Sequence, residues 1–347
     1  MSNTVIFTGS KQITVNNIGI SNWYFPSDPN RINPDPSTYA FNRYVSIAPL
    51  YAPCCWNYVE TSKGVYNWTY SDNWVNAYSA LGKSLIVELC FTPNWANSAM
   101  TVNAGNKAPT NMADFASWVT VIGNRYKGKI KHWFIRNEMT LDSAAKHAEL
   151  TRVANQILKS IDPTNKILGN EISNIPTIAT TFTAFATASA VGYNAGFGDG
   201  TGTTGKNWLD IVSVHPYAQG TASPLTGEVL NVQDWINAKA TLNTLGLSAL
   251  PLWSTECMYT GTDLNATVAK WKRSMVISLL YSDLYVWFGW GASSAQLNQN
   301  NLTGLNARRV WNDFMSMLFS SPITQVVLNE ITGMVEVTQA NGNVFVV

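Results

Sequence analysis

Residues 131–169 read KHWFIRNEMTLDSAAKHAELTRVANQILKSIDPTNKILG. The stretch opens on a short apolar run, 132–137, that closes on Arg-Asn-Glu. Asp142 can then cap a helix whose buried stripe is Leu150, Val153, Ile157, Leu158 and Ile161, spaced by three and four. Asp162-Pro163 stops it, because proline disfavours helical geometry in the residue before it. A second apolar run follows at 166–169. Strand, helix and strand in about 40 residues form a unit whose two strands lie parallel.

Working outward, the same alternation continues in both directions. Apolar or β-branched runs fall at 18–23, 44–50, 84–90, 132–137, 166–169, 211–215, 252–255 and 284–288. Short continuous runs of this kind fit strands covered on both faces, as in a parallel sheet. Between the third and fourth runs, Asn111 can cap a helix carrying Phe115, Trp118, Val119, Ile122 and Tyr126 on one stripe. The pattern predicts an α/β fold, a (β/α)8 TIM barrel, with a doubly wound open sheet as the alternative. Residues 1–347 read as one domain, with 323–347 a small C-terminal β-hairpin appendage. Its signal is Val335 and Val337, then Val344 and Val346, around Asn341-Gly342-Asn343.

Composition narrows the function classes. Net charge is +1 with no basic run, which disfavours a nucleic-acid partner, since phosphate neutralisation needs clustered Lys and Arg. No apolar stretch approaches the roughly 20 residues that span a bilayer, and the N-terminus lacks the layout of a secretory signal. Location therefore stays open. Cys54, Cys55, Cys90 and Cys257 show no metal-ligand spacing and read as small buried hydrophobes. All four nevertheless fall near strand ends of one barrel face, which leaves a disulfide or metal site as the alternative. Tryptophan is abundant, with 14 residues, and most of these rings belong in the core.

Barrel enzymes place their chemistry at the C-terminal ends of the strands. Glu138 ends the fourth run and Glu256 follows the seventh. His215-Pro216-Tyr217 closes the sixth. Two facing carboxyl groups are what cleavage of a glycosidic bond requires: one protonates the leaving oxygen, the other stabilises or attacks the anomeric carbon.

The order of these motifs resembles glycoside hydrolase clan A, the retaining (β/α)8 enzymes with glutamates after the fourth and seventh strands. The likeness runs over about residues 18–320. It begins at Trp56-x-x-x-Glu60 and Gly64-Val65-Tyr66-Asn67-Trp68. Asp72, Gly82 and Thr92-Pro93-Asn94-Trp95 continue it, then Asn137-Glu138, Asp162-Pro163-Thr164-Asn165-Lys166, His215-x-Tyr217, Glu256 and Trp287 or Trp290. Its flavour is nearest family 39 β-glycosidases and related bacterial exopolysaccharide hydrolases. The resemblance implies a retaining glycosidase cleaving an equatorial bond of an oligo- or polysaccharide, with Glu138 as acid/base and Glu256 as nucleophile. Arg136 and Met139 depart from it, where many relatives have Trp and Pro.

Other residues carry weaker readings. Asn137 is assigned to the sugar 2-hydroxyl, and His215 with Tyr217 to holding Glu256. Trp95 and Trp287 or Trp290 are candidates for stacking on sugar, with Trp23 and Trp56 at even odds. Glu171, in a second Asn-Glu after the fifth run, competes with Glu138 and is otherwise a substrate contact. The Gly/Thr-rich stretch 192–206 is expected to shape the cleft. No cofactor or metal is implied, and a monomer is the default. A sugar-binding barrel serving attachment and a transglycosylase are the rival functions.

Overall fold

The computed structural model describes residues 3–22, 43–47, 54–98, 107–138, 142–172, 175–216, 224–257, 264–290 and 307–347. In chain order the first half contains β1 (Asn3–Lys11), β2 (Ile18–Asn22), β3 (Tyr44–Ile47), α1 (Trp56–Val59), β4 (Glu60–Ser62), β5 (Val65–Tyr66) and α2 (Thr69–Ala80). Next come β6 (Ser84–Glu88), α3 (Met112–Arg125), β7 (Ile130–Phe134), α4 (Ala144–Ile161), β8 (Lys166–Ile172) and α5 (Thr181–Thr187). The chain continues through β9 (Ile211–Val214), α6 (Pro224–Thr244), β10 (Leu252–Cys257), α7 (Leu264–Tyr281), β11 (Leu284–Trp290) and α8 (Ala307–Phe319). It finishes with β12 (Ile323–Asn329), β13 (Val335–Gln339) and β14 (Val344–Val346).

Strands β2, β3, β6, β7, β8, β9, β10 and β11 form a closed barrel. Every neighbouring pair is parallel, and β11 closes on β2 with Tyr285 opposite Ile18 and Trp287 opposite Ile20. These are the eight runs read from the sequence, so the barrel holds and the open sheet does not. The interior is filled by Ile86, Phe134, Leu168, Ile211, Trp253, Leu284 and Val286, with Tyr44 packed against them. The space is tight: a Cβ on Gly19 would lie 2.8 Å from Val286 Cγ2 and 3.2 Å from Tyr44 Cβ. Outward-facing strand residues join the helices in a second, larger core. Eight of the 14 tryptophans are buried there or in the barrel: Trp56, Trp74, Trp118, Trp133, Trp235, Trp253, Trp271 and Trp311. The core reading of most indoles is thereby upheld.

Local signals are mostly used as the sequence suggests. Asn111 caps α3 through its side chain, which accepts from Ala113 N at 3.0 Å. The cap of α4 is Ser143, not Asp142: the Ser143 hydroxyl accepts from Lys146 N at 3.2 Å. Asp142 is drawn instead to Arg136 and to Ala108 N. At the other end Asp162 accepts from the Thr164 amide and hydroxyl. Asn165 then ties Trp133 Nε1 to the Leu158 carbonyl. That is a structural reason for the Asp-Pro-Thr-Asn phrase.

Two expectations change. The C-terminal hairpin exists, turning at Gly342 with φ +86°. It belongs, however, to a four-stranded antiparallel sheet ordered β1-β12-β13-β14, which recruits the N-terminal strand. β1 escapes sequence reading because most of its residues are exposed and no alternation marks it. The stretch 192–206 lies between α5 and β9, an αβ connection, and its contacts run to α4. The Arg152 guanidinium donates to the carbonyls of Ala190, Gly198 and Tyr193. Glu149 accepts from Tyr193 N at 2.8 Å. These contacts hold the segment to a helix flank, and the cleft-shaping expectation is withdrawn. Among the described residues, no helix is long and apolar enough to cross a membrane.

Candidate active site

Glu138, His215 and Glu256 come from three strand ends of one barrel face. Glu138 stands four residues beyond β7, His215 directly after β9, and Glu256 next to the last residue of β10. One carboxylate oxygen from each glutamate and a ring nitrogen of His215 all lie within 4.8 Å of one another. Among the described residues this is the one His/Cys/Asp/Glu cluster tight enough to hold a metal ion. His215 Nδ1 hydrogen-bonds Glu138 Oε1 at 3.0 Å and lies 3.9 Å from Glu256 Oε1. The imidazole therefore sits between both carboxylates, where the sequence reading attached it to Glu256.

The two acids differ in setting. The Glu256 side chain is 11% exposed and that of Glu138 32%, while His215 is buried. A carboxylate held this deep at a strand end is costly unless it is partnered or used. Below the site, Ser213 and Thr255 share a 2.6 Å hydroxyl hydrogen bond that joins β9 to β10.

The backbone leading to Glu138 is unusual. Arg136 has φ +74° and Glu138 φ +35°, and Phe91, just beyond β6, has φ +56°. They are the only non-glycine residues with positive φ among those described, and all stand at the C-terminal ends of neighbouring strands. Such conformations cost on the order of 1–3 kcal/mol each and persist only where surroundings enforce them. Arg136 supplies part of that enforcement. Its buried guanidinium donates to Asp142 Oδ2 at 2.8 Å, and the same oxygen accepts from Ala108 N at 2.6 Å. Desolvation pulls the Arg136 pKa down to about 10, with Asp142 opposing the fall. Sequence reading noted Arg136 only as a departure; no glycine marked the turn.

The remaining candidates separate. Asn137 is half-buried on the turn between Arg136 and Glu138. Trp95 is half-buried, donates Nε1 to the Glu60 carbonyl at 2.8 Å, and meets Trp56 edge to face at 5.7 Å. Lys63 Nζ lies 5.8 Å from the centre of its ring. Trp56 is buried and stacked on Trp118, so it belongs to the core. Its Nε1 donates to Glu60 Oε2 at 2.6 Å while Gly64 N donates to Oε1 at 2.7 Å. The Trp-x-x-x-Glu…Gly phrase is therefore a buried clamp. Trp287 and Trp290 lie on β11 and Glu171 on β8, with side chains outside the described residues. Tyr217 and Trp23 lie outside them altogether.

No protein-family model matches the chain. Its fold is similar to that of solved glycoside hydrolases. One is a family 39 glycoside hydrolase from the gut symbiont Bacteroides cellulosilyticus WH2, at TM-score 0.65 and 15% identity over 94% of this chain and 71% of that one. Another is a monomeric beta-xylosidase from Caulobacter crescentus CB15, at TM-score 0.66 and 15% identity over 96% and 75%. The catalytic domain of GH30 xylanase C from Talaromyces cellulolyticus matches at TM-score 0.60 and 16% identity over 99% and 85%. At these identities the likeness establishes the fold: the chain is a (β/α)8 barrel of the form these glycoside hydrolases share.

Proposed function

We propose that the chain is a retaining glycoside hydrolase that cleaves an equatorial, β-type bond in an oligo- or polysaccharide. The observation that carries this reading is the approach of the Glu138 and Glu256 carboxylates, with His215, to within 4.8 Å at the C-terminal mouth of the barrel. Retaining enzymes hold their carboxyl groups about 5–5.5 Å apart, whereas inverting enzymes need about 6.5–9.5 Å to admit a water. The fold shared with family 39 and GH30 glycosidases agrees with it.

On this reading Glu256, the deeper acid, attacks the anomeric carbon while Glu138 gives its proton to the departing oxygen. A covalent glycosyl ester forms on Glu256. Water then enters, Glu138 takes its proton, and the ester bond breaks with the original stereochemistry restored. His215, in contact with Glu138, orients that carboxyl through both steps. Asn137, Tyr217, Glu171, Trp95, Trp287 and Trp290 are proposed to line the sugar path, and the C-terminal sheet is an appendage of the same domain.

Reducing-sugar release from a panel of β-linked polysaccharides, with Glu256→Gln alongside, tests the proposal. Release by the parent protein alone supports it, and longer products in place of release identify a transglycosylase. Oligosaccharide affinity without turnover, equal in the parent and the variant, would favour a binding barrel and overturn the hydrolase reading.

A further inference from the structure

Two of the four cysteines stand against each other beside the cleft. Cys55 directly precedes α1 and Cys90 lies two residues past β6. Their backbones are zipped together, with Trp56 N donating to the Cys90 carbonyl at 3.2 Å and Asn57 N to the Phe91 carbonyl at 3.0 Å. The sulfurs are 2.9 Å apart, less than 1 Å longer than the about 2.05 Å of a disulfide bond. The other two thiols have different neighbours. Cys54 faces Ser71, and Cys257 meets Ser274 Oγ at 3.4 Å. Cys90 also donates to Glu88 Oε2 at 3.3 Å, so a buried carboxylate already faces its proton.

No disulfide joins any of the four cysteines in the structure. We propose that Cys55 and Cys90 are the two halves of a disulfide that this fold forms on exposure to a small disulfide oxidant such as oxidised glutathione. One cysteine thiolate attacks a glutathione sulfur and releases one glutathione thiolate. The partner cysteine attacks the mixed disulfide, the Cys55–Cys90 bond forms, and the second glutathione leaves. Two electrons pass from the cysteines to the oxidant, and the two thiol protons pass, by way of Glu88 or solvent, to the departing thiolates. Both sulfurs are buried, and burial raises the Cys90 thiol well above its ordinary range. Reaction therefore belongs to folding or local opening, and the closed bond resists reductant afterwards.

The cross-link spans 35 residues of chain and ties the segment bearing Trp56 and Glu60 to the one bearing Trp95. Loop-closure entropy for such a span, set against the unfolding entropy of a chain this long, corresponds to a rise in Tm of about 5 °C.

The test is refolding of the full chain in a glutathione redox buffer, with recovery followed by circular dichroism. The product is then blocked with N-ethylmaleimide under denaturing conditions, weighed and peptide-mapped. The expected product is lighter by two hydrogens, carries maleimide on Cys54 and Cys257 only, and yields one linked peptide pair. Cys54→Ser should keep the link and the Tm gain, and Cys55→Ser should lose both. Four blocked thiols in refolded protein, or a link through Cys54 or Cys257, would overturn the proposal. Because only mass and Tm are read, the result is independent of any glycosidase activity.

Discussion

Glu138 holds its place through a backbone that few side chains tolerate, and Glu256 through depth. The pair makes distinct predictions. Glu256→Gln keeps the volume and removes the proposed nucleophile, so turnover should fall by at least about a thousandfold while the circular dichroism spectrum and Tm stay near those of the parent. Glu138→Ala removes the proposed base for the second step. Azide, which needs no base, should then restore part of the turnover and yield a glycosyl azide; a variant that azide leaves unchanged would count against the acid/base assignment. The strand-end placement of both glutamates was legible in the sequence, because a charged residue closing an apolar run stands out from it. The left-handed turn beneath Glu138 was not, since Arg136 and Glu138 carry it without a glycine. Nor did spacing reveal that His215 leans toward Glu138 at 3.0 Å, because strand register does not fix a ring's rotamer.

At the level of elements, the start of α4 separates two jobs that one line of sequence had merged. Ser143 caps the helix, whereas Asp142 joins Arg136 and the Ala108 amide beneath the turn that carries Glu138. Ser143→Ala should cost about 1 kcal/mol, the ordinary worth of a cap, and leave turnover nearly intact. Asp142→Ala strands a buried guanidinium and should cost about 3 kcal/mol, with turnover falling as well. Urea unfolding and steady-state kinetics on both variants read the difference. No measurable stability loss in Ser143→Ala would return the capping role to Asp142. The barrel strands were readable because each is covered on two faces and so runs apolar. β1 was not, with much of its length facing water. The segment 192–206 was misplaced for a related reason: polar, glycine-rich chain says loop, but not which end of a barrel it joins.

For the molecule as a whole, acid sensitivity follows from the half-buried His132 and the buried His147. Desolvation lowers His132 to about 4, and desolvation with the nearby Arg136 charge lowers His147 to about 3. His147 Nε2 donates to the Ile135 carbonyl at 2.8 Å, so in the neutral ring the hydrogen sits on Nε2. Unfolded, both titrate near 6.5, so below that pH the unfolded chain binds more protons than the folded one. Their contribution is complete above pH 6.5 and declines as pH falls toward 4 and then 3, by about 1.4 kcal/mol per unit of depression. The Tm should drop steadily across that window in tryptophan-fluorescence melts, and a His147→Gln variant that still folds should show a shallower slope. A flat profile between pH 6.5 and 4 would contradict both assignments.

The sheet that joins β1 to β12 sets Asn3 opposite Asn329 and Thr4 opposite Leu328. During synthesis β1 must wait, unpaired, until β12 emerges more than 300 residues later. Barrel closure waits almost as long, since β2 needs β11. Such distant pairings are slow to form, and nascent chains of this protein should engage chaperones until β11 and β12 emerge.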